Sequence, residues 1–403
     1  MIPVAEALER VLADLRVTAP EDISLDHAFG RVLAEDVVAR LTQPPFPVSA
    51  MDGYAVRAAD IATVPTRLNQ VGYAPAGASY DGTLGPGEAV RVFTGAPVPH
   101  AADAIVIQED ADFDPATQQV TVRESAVPGR YVRPAGLDFR SGDIGITAGR
   151  RLSARDIGLA AAMNHPWLRV SRKPRIAILP TGDEIVRPGE PLGRNQIVSS
   201  NAFSLAALIQ AVGGEPVQLG IFPDQVDRIA SAMRDIATAD LLVTTGGASV
   251  GDHDLVRAGL TPEGLTLDFW QIAMRPGKPL MFGRVAGTPL LGLPGNPVST
   301  VVCAILFLRP MIKAMLGLPN PGNLEEIGKL ATDLPPNDRR QDYLRARLDR
   351  DSDGLMAVTP MTRQDSSMMS SLASADGLAI RPPNAPAAKA GEPIRFIRFD
   401  EGL

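Results

Sequence analysis

Apolar positions along this chain change their spacing several times, and each change marks a change in the expected architecture. Near the start Val4, Leu8, Val11, Leu12 and Leu15 recur at helical spacing, with Pro3 beside the first helical position. The N-terminus is therefore predicted to form an amphipathic helix. Short apolar runs such as RVLAEDVVA continue to residue 45. Residues 46–138 are rich in Gly and Pro, and the strand-like pieces AVRVF and AIVIQ stand between turns. That texture predicts a small β-rich domain. Over residues 139–172 a helical pattern returns in SARDIGLAAAM. The β-rich part thus reads as an insertion into an elongated N-terminal, linking domain made of residues 1–45 and 139–172.

From residue 173 to 320 strands alternate with helices. RIAILP precedes a helix from near Asn201 (Leu205, Leu208, Ile209, Val212), and VQLGIF precedes one from near Asp224 (Ile229, Met233, Ile236). DLLVTTG then runs into a Gly-rich loop. Such alternation predicts a doubly wound α/β domain on a parallel sheet. Ligands of these sheets bind beyond the carboxyl ends of the strands. Glu184, Asp224, Gly246–Asp254 and Gly295–Asn296 each follow an apolar strand-like run, so topology gathers them at one edge. Residues 321–403 lose the alternation, and YLRARL, LMAVTP, LAIRP and IRFIRF read as strands of a small barrel-like β domain.

Composition narrows the function classes. With 403 residues, 45% hydrophobic and 21% charged, the chain has the make-up of an ordinary multidomain globular protein. Its one cysteine rules out an internal disulfide and suggests a reducing compartment, so a cytoplasmic location is expected. Cys303 lies within VVCAILFL and reads as a small buried hydrophobe. The longest apolar run, Val298–Leu308, is shorter than the roughly 20 residues that span a bilayer, and no secretory signal pattern opens the chain. A net charge of −7 argues against nucleic acid as a partner. Any anionic ligand must be held by local charges, dipoles or a metal. The histidines (His27, His100, His165, His253) lack zinc-ligand spacing, and no G-x-S-x-G elbow is present.

Candidate chemistry concentrates between Thr244 and Ser299. In LPGNPVS, Asn296 is a good N-cap and Pro297 suits the first helical position, so Pro294, Gly295 and Asn296 form either a well-capped core helix start or an anion seat. In TGGASVGDHD, Gly246 and Gly247 permit close backbone approach to a phosphate, Ser249 can donate, and Asp252 or Asp254 can hold a metal. A strand–helix turn with a capping Asp fits the same letters. The prolines of RPGKP fix Arg275 and Lys278 either as anion contacts or as a solvated turn; Pro279 excludes a Walker loop. PTGDE places Glu184 at a strand end, where a carboxylate can ligate Mg2+ or the loop can be an Asx-turn. In the inserted region Asp52 precedes a glycine in SAMDGYA, Thr94 sits in the stiff turn FTGAPVP, and Arg133 and Asp138 flank Pro134-Ala-Gly136. Each of these alone is ordinary turn chemistry.

In this order, SAMDGYA, FTGAPVP, RPAGLDFRSGD, PTGDEI, GGASVGDHD, RPGKPL, LPGNPVS and RRQDYLRARL resemble the molybdopterin molybdenumtransferase family (MoeA, akin to the gephyrin E domain) over essentially the whole chain. The resemblance implies a homodimer of four-domain chains. Its site lies between the α/β domain of one protomer and the β-insert of the other. The implied reaction moves molybdenum from molybdate to the dithiolene of adenylylated molybdopterin, with hydrolysis of the adenylate and release of AMP in the presence of Mg2+ or a similar divalent ion. It implies catalytic roles for Asp52, Glu184 and Asp254, and metal ligation by Glu184, Asp224 and Asp254. Substrate binding falls to Thr94, Arg133, Asp138, Gly246, Gly247, Ser249, Arg275, Lys278, Pro294, Gly295 and Asn296. Transient partners would be the molybdopterin adenylyltransferase and recipient molybdoenzymes. The competing expectations are adenylyl transfer to molybdopterin and a non-enzymatic cofactor carrier. Arg275 replaces a lysine common in the family, and Asp365, Ser367 and Asp376 replace Gly, Gly and Asn.

Overall fold

A computed structural model describes residues 1–75, 77–231, 236, 238–246, 255–351 and 354–399. The expectations for Gly247, Ser249, Asp252, His253 and Asp254 therefore fall outside the described residues.

The α/β unit follows from strands that are apolar on both faces. In Arg175–Pro180, Ile176 and Ile178 enter one core with the helix Asn201–Val212, while Ala177 and Leu179 enter a second with Ile229, Val256 and Leu260. A strand covered on both sides by helices reads as a continuous apolar run, as this one does. Four strands are parallel, in the order Glu215–Gln218, Arg175–Pro180, Leu241–Thr245, Thr288–Leu293. The parallel sheet expected from alternation is present, and two further strands lengthen it at one edge. Pro279–Val285 runs antiparallel to Thr288–Leu293, and Leu265–Gln271 pairs antiparallel with Pro279–Val285 in turn. The cause is a two-residue hairpin, Ala286–Gly287, with both residues at positive φ (46° and 86°).

The helix after Asn296 runs beyond the apolar stretch Val298–Leu308. Helical structure continues over Pro297–Met315, 19 residues, long and apolar enough by composition to cross a membrane. With 83% of its most apolar window buried inside the protein, it serves as a core helix. Cys303 lies in it with no exposed surface, and burial pushes its thiol pKa far up.

The N-terminal helix Val4–Ala13 buries Val4, Ala7 and Val11 in this same core, so it packs on the α/β unit and away from the strands that follow it in sequence. Pro20–Ser24 pairs with Trp167–Ser171, and Val37–Val38 with Ile144–Ile146. The chain between leaves and returns as a six-stranded sheet that includes Gly53–Val56, Glu88–Val92 and Ala104–Ile107. In the C-terminal part five strands close on themselves, because Gln341–Arg350 pairs with both Met356–Pro360 and Gly377–Arg381. A further short strand, Met274–Arg275, pairs parallel with Gln341–Asp342 and ties this barrel to the α/β unit.

Candidate functional site

At the carboxyl edge of the parallel strands lies a cleft of about 740 Å³. Its base is two touching loops. Gly246 has φ +93°, and a Cβ there would lie 2.2 Å from the Thr181 carbonyl oxygen, so only glycine fits. A Cβ on Gly295 would sit 3.6 Å from the Gly246 Cα, which places the two loops in van der Waals contact. Asn201 fixes the pair by donating from Nδ2 to the Gly295 carbonyl (2.7 Å) and to Thr245 Oγ1 (2.9 Å). The Pro294 carbonyl accepts from Thr300 Oγ1 at 2.6 Å. Around this base Thr181 Oγ1 and Asn201 Oδ1 are buried without a hydrogen-bond partner among the described residues. Buried polar atoms are nearly always paired, so these two mark places for a ligand or water.

Asn296 stands at the N-cap position, but its side chain does not cap the helix. Its Nδ2 donates to Ser366 Oγ (3.0 Å), and the Val298 N–H donates to the Ser366 carbonyl (3.1 Å). The helix start is therefore latched to a loop of the barrel, and Ser367 and Met369 of that loop line the cleft. Arg345, 1% exposed, holds the loop by donating to the carbonyls of Arg363 and Met368 and to Gln364 Oε1. Sequence reading missed Asn201, Ser366 and Arg345. Their shared signal was a polar residue amid apolar or serine-rich pieces, which carries no position in space.

Glu184 lines the cleft, and two further carboxylates, Asp183 and Asp224, stand close to it. Gly182, at φ +145°, lets the chain turn so tightly that a Cβ would meet Glu184 Oε2 at 2.6 Å. The Asp224 N–H donates to Asp183 Oδ1 at 3.1 Å. Asp224 itself is half-buried, and its Oδ1 has no hydrogen-bond partner among the described residues. Burial, then the charges of Asp183 and Glu184, raise its pKa above the usual carboxylate range. Asp183, which the sequence reading passed over, thus belongs to the acidic group around Asp224. Among the described residues these acids do not form a closed cage of three metal ligands. Mg2+ needs no such cage: it commonly takes one or two carboxylates and fills its remaining positions with water and phosphate oxygens.

Arg275 is placed differently from an open anion contact. Its guanidinium is engaged by Asp342, 6% exposed, and lies 3.5 Å from Asp338. It clamps the barrel to the α/β unit, a position decided by the parallel pairing of Arg275 with Asp342. Lys278 shows no side-chain hydrogen bond or ion pair among the described residues, so its ammonium stays available.

In the insert, Asp52 Oδ1 accepts from both the N–H and the hydroxyl of Thr94, each at 2.8 Å. These bonds, and the charge of Arg91, lower its pKa. Arg91 is itself stacked over Tyr54 and Phe93. Arg133 lies exposed on the short strand Val132–Arg133, which pairs with Val48–Ser49, and Asp138 is exposed on the following loop. The structure thus lines one cleft with Glu184, Gly246, Pro294, Gly295 and Asn296, and sets Asp224 beside Asp183 and Glu184. Asp52 and Thr94 form a second, separate pair in the insert.

Family models match the chain in three blocks: the MoeA N-terminal region (domain I and II) over residues 2–164, the probable molybdopterin binding domain over 177–314, and the MoeA C-terminal region (domain IV) over 328–399. A molybdopterin molybdenumtransferase 2 of Mycobacterium tuberculosis is 35% identical over 398 residues, covering 96% of this chain and 97% of that one. The chain belongs to the molybdopterin molybdenumtransferase family. The molybdopterin molybdenumtransferase of Bacillus subtilis is 32% identical, covering 99% of this chain and 94% of its own. Among solved structures, the molybdopterin biosynthesis MoeA protein of Pyrococcus horikoshii superposes with a TM-score of 0.87 at 30% identity, covering 99% of each chain. This agreement over whole chains places a doubly wound domain, a β-rich insert and a small C-terminal barrel in one molybdopterin molybdenumtransferase architecture.

Two departures from the molybdopterin molybdenumtransferase motifs have structural explanations. Asp376 accepts from the Leu348 N–H (3.0 Å) and so pins a barrel strand. Asp365 accepts from the N–H and hydroxyl of Ser367 (2.8 and 2.7 Å), which lowers its pKa and stiffens the loop at the cleft.

Proposed function

We propose that this chain inserts molybdenum in molybdenum cofactor biosynthesis, transferring it from molybdate to the dithiolene of adenylylated molybdopterin with hydrolysis of the adenylate and release of AMP. The observation that carries this reading is the half-buried Asp224 carboxylate, unpartnered and crowded by Asp183 and Glu184, beside a glycine-lined cleft that suits an anion. Like charges held together with an orphan oxygen favour a cation, and Asp224 with Glu184 would hold Mg2+. When bound there, the ion supplies Lewis-acid polarisation of the phosphoanhydride.

The chain's own groups do the rest. The Gly246 and Gly295 loops let an anionic group approach the backbone closely, and Lys278 offers a free positive charge. Asp52, kept ionised by Thr94, is suited to orient water or accept its proton as the P–O bond breaks. Its place in the insert fits a homodimer in which one protomer's insert closes the partner's cleft. Cys303 is buried and strongly protonated, so both sulfurs that bind molybdenum belong to the substrate. A cytoplasmic setting, with hand-over from the molybdopterin adenylyltransferase and on to recipient molybdoenzymes, belongs to the same proposal.

The test is AMP release from adenylylated molybdopterin with Mg2+, with and without molybdate. Molybdate-dependent release supports the reading. Release that ignores molybdate, or none, overturns it.

A further inference from the structure

On one face of the insert's sheet two complementary charges stand side by side and do not pair. Tyr54 lies directly opposite Arg91 where Gly53–Val56 runs antiparallel to Glu88–Val92, so both point to the same face. Asp52 precedes Tyr54 by two positions, which puts it on that face as well, diagonal to Arg91 and within reach of a long side chain. Asp52 Oδ1 is occupied by Thr94, but Oδ2 has no hydrogen-bond partner among the described residues. Arg91 acts on Asp52 through its charge and makes no hydrogen bond to it. Instead its guanidinium lies over the rings of Tyr54 and Phe93, 5.0 and 4.9 Å from their centroids, and Nη2 donates to Gln108 Oε1 at 2.6 Å. Nη1 is buried without a hydrogen-bond partner among the described residues. Gln108 is also tied to Asp52, because its N–H donates to the Asp52 carbonyl at 3.1 Å. Gly53 permits close approach of these strands: a Cβ there would lie 2.0 Å from the Val106 carbonyl oxygen. Other charged groups on the flanking elements are engaged or set apart. Glu109 accepts from Gln108 Nε2 (3.3 Å), Glu88 accepts from the Gly85 N–H (2.6 Å), Asp110 bonds Glu124, and Arg133 is exposed on the strand paired with Val48–Ser49.

We propose that Gln108, Tyr54 and Phe93 are positioning residues that hold the Arg91 guanidinium beside Asp52 but off its Oδ2, leaving that oxygen open to a reacting water. Of the arrangements open to this pair, only one suits a base. With Arg91 bonded to Oδ2 the carboxylate would stay ionised, but its remaining lone pairs would be committed to the guanidinium. With no cation nearby the carboxylate would be open but less firmly ionised. A guanidinium stacked alongside supplies charge and takes no lone pair. The holding group must be neutral for this to work, since a carboxylate at position 108 would cancel the charge that Arg91 brings. Gln108 is an amide, and it accepts with one end while donating with the other. The unpaired Nη1 shows which way Arg91 would relax: a buried donor without an acceptor is costly, and Oδ2 is a free acceptor on the same face. That Asp52 works on water rests on the function proposed above; the holding of Arg91 rests on the geometry alone.

The experiment compares full-length Gln108→Leu, Arg91→Gln and the double variant. Gln108 is exposed, so its replacement should leave the fold intact. AMP release from adenylylated molybdopterin with Mg2+ and molybdate should fall by about 10-fold in Gln108→Leu, part of the roughly 100-fold or more that a positioned base contributes. Removing the arginine as well should raise the rate again, by about 5-fold over Gln108→Leu, because nothing is left to cover Oδ2. A merely structural glutamine predicts no such recovery, and a double variant as slow as Gln108→Leu overturns the proposal. Melts against pH read the same device without activity. Each background with and without Asp52→Asn gives the pH at which Asp52 stops contributing stability. Because its folded pKa is lowered, that contribution is lost as pH falls through the folded value. Gln108→Leu should move the loss to lower pH, as an ion pair forms, and Arg91→Gln should move it to higher pH. Shifts in the same direction, or none, overturn the proposal. If wild-type protein releases no AMP, the insertion reading fails, and opposite shifts in the melts still support the holding of Arg91. If release depends on molybdate but the double variant does not recover, the holding of Arg91 fails while the insertion reading stands.

Discussion

Asp52 and Asp224 are both carboxylates that the motifs single out, yet their surroundings drive them in opposite directions. Asp52 is satisfied: Thr94 donates twice to one oxygen, Arg91 adds positive charge, and the pKa falls. Asp224 is frustrated: one oxygen is buried without a donor, Asp183 and Glu184 crowd it, and the pKa rises. A satisfied carboxylate is a fixed anion suited to orient water. A frustrated one gains from a cation or a proton. Sites that need both an ion and a base commonly separate their carboxylates in this way, and here the two lie on different folding units.

The largest effect should come from removing the frustrated side. Asp224→Asn keeps the shape and loses the charge, and should lower Mg2+-dependent AMP release by about 100-fold, as loss of a metal-supporting group commonly does. Saturating Mg2+ should recover part of the loss, whereas Asp52→Asn should show no such recovery. Steady-state rates against Mg2+ concentration decide it, and identical Mg2+ profiles for the two variants would break the contrast.

The next comparison asks whether the two sides meet across subunits. Coexpressed Asp52→Ala and Glu184→Ala chains form heterodimers with one intact composite site if insert and cleft come from different protomers. Purified heterodimers should then recover about half of the wild-type rate, while each homodimer stays inactive. Sites assembled within one chain predict no recovery at all.

How far the letters alone carried this contrast depends on what each feature required. PTGDEI and TGGASVGDHD stood out because tight turns and close backbone approaches demand glycine, and the structure uses Gly182 and Gly246 for that reason. The doubly wound core was legible in RIAILP because both faces are covered. What was not legible depended on distance in space. Arg275 read as an anion contact or part of a solvated turn, and no letter near it announced Asp342, which the barrel strand brings to it from 67 residues along the chain. Asn296 looked like a cap until Ser366 took its side chain. The antiparallel edge hung on a two-residue turn, Ala286–Gly287, whose positive φ values an alanine conceals in sequence.

A smaller effect tests the base of the cleft. Gly246→Ala must place a methyl group against the Thr181 carbonyl at positive φ, and should cost about 1–3 kcal/mol, seen as a drop in Tm of several degrees. The same change at Gly295, whose Cβ would make ordinary contact with Gly246, should cost far less. Equal Tm shifts would mean that the two loops do not differ in closeness as described.

The smallest effect is the most direct test of frustration. An acid whose folded pKa is raised binds its proton more tightly in the folded than in the unfolded state. Its contribution is fully present below the unfolded value and is lost as pH rises through the folded one. Asp224 should therefore weaken the metal-free protein above the ordinary carboxylate range, and Asp224→Asn should raise the metal-free Tm at neutral pH by roughly a degree or two. Asp52 has the opposite sign: its lowered pKa contributes stability at neutral pH that disappears as pH falls through the folded value, so Asp52→Asn should lower Tm at pH 7. Mg2+ should invert the first result and leave the second alone, because a bound cation turns the crowding of Asp183, Glu184 and Asp224 from repulsion into attraction. Thermal melts of both variants with Mg2+ and with chelator measure this, and a stabilising Asp224→Asn that persists under Mg2+ would place the ion elsewhere.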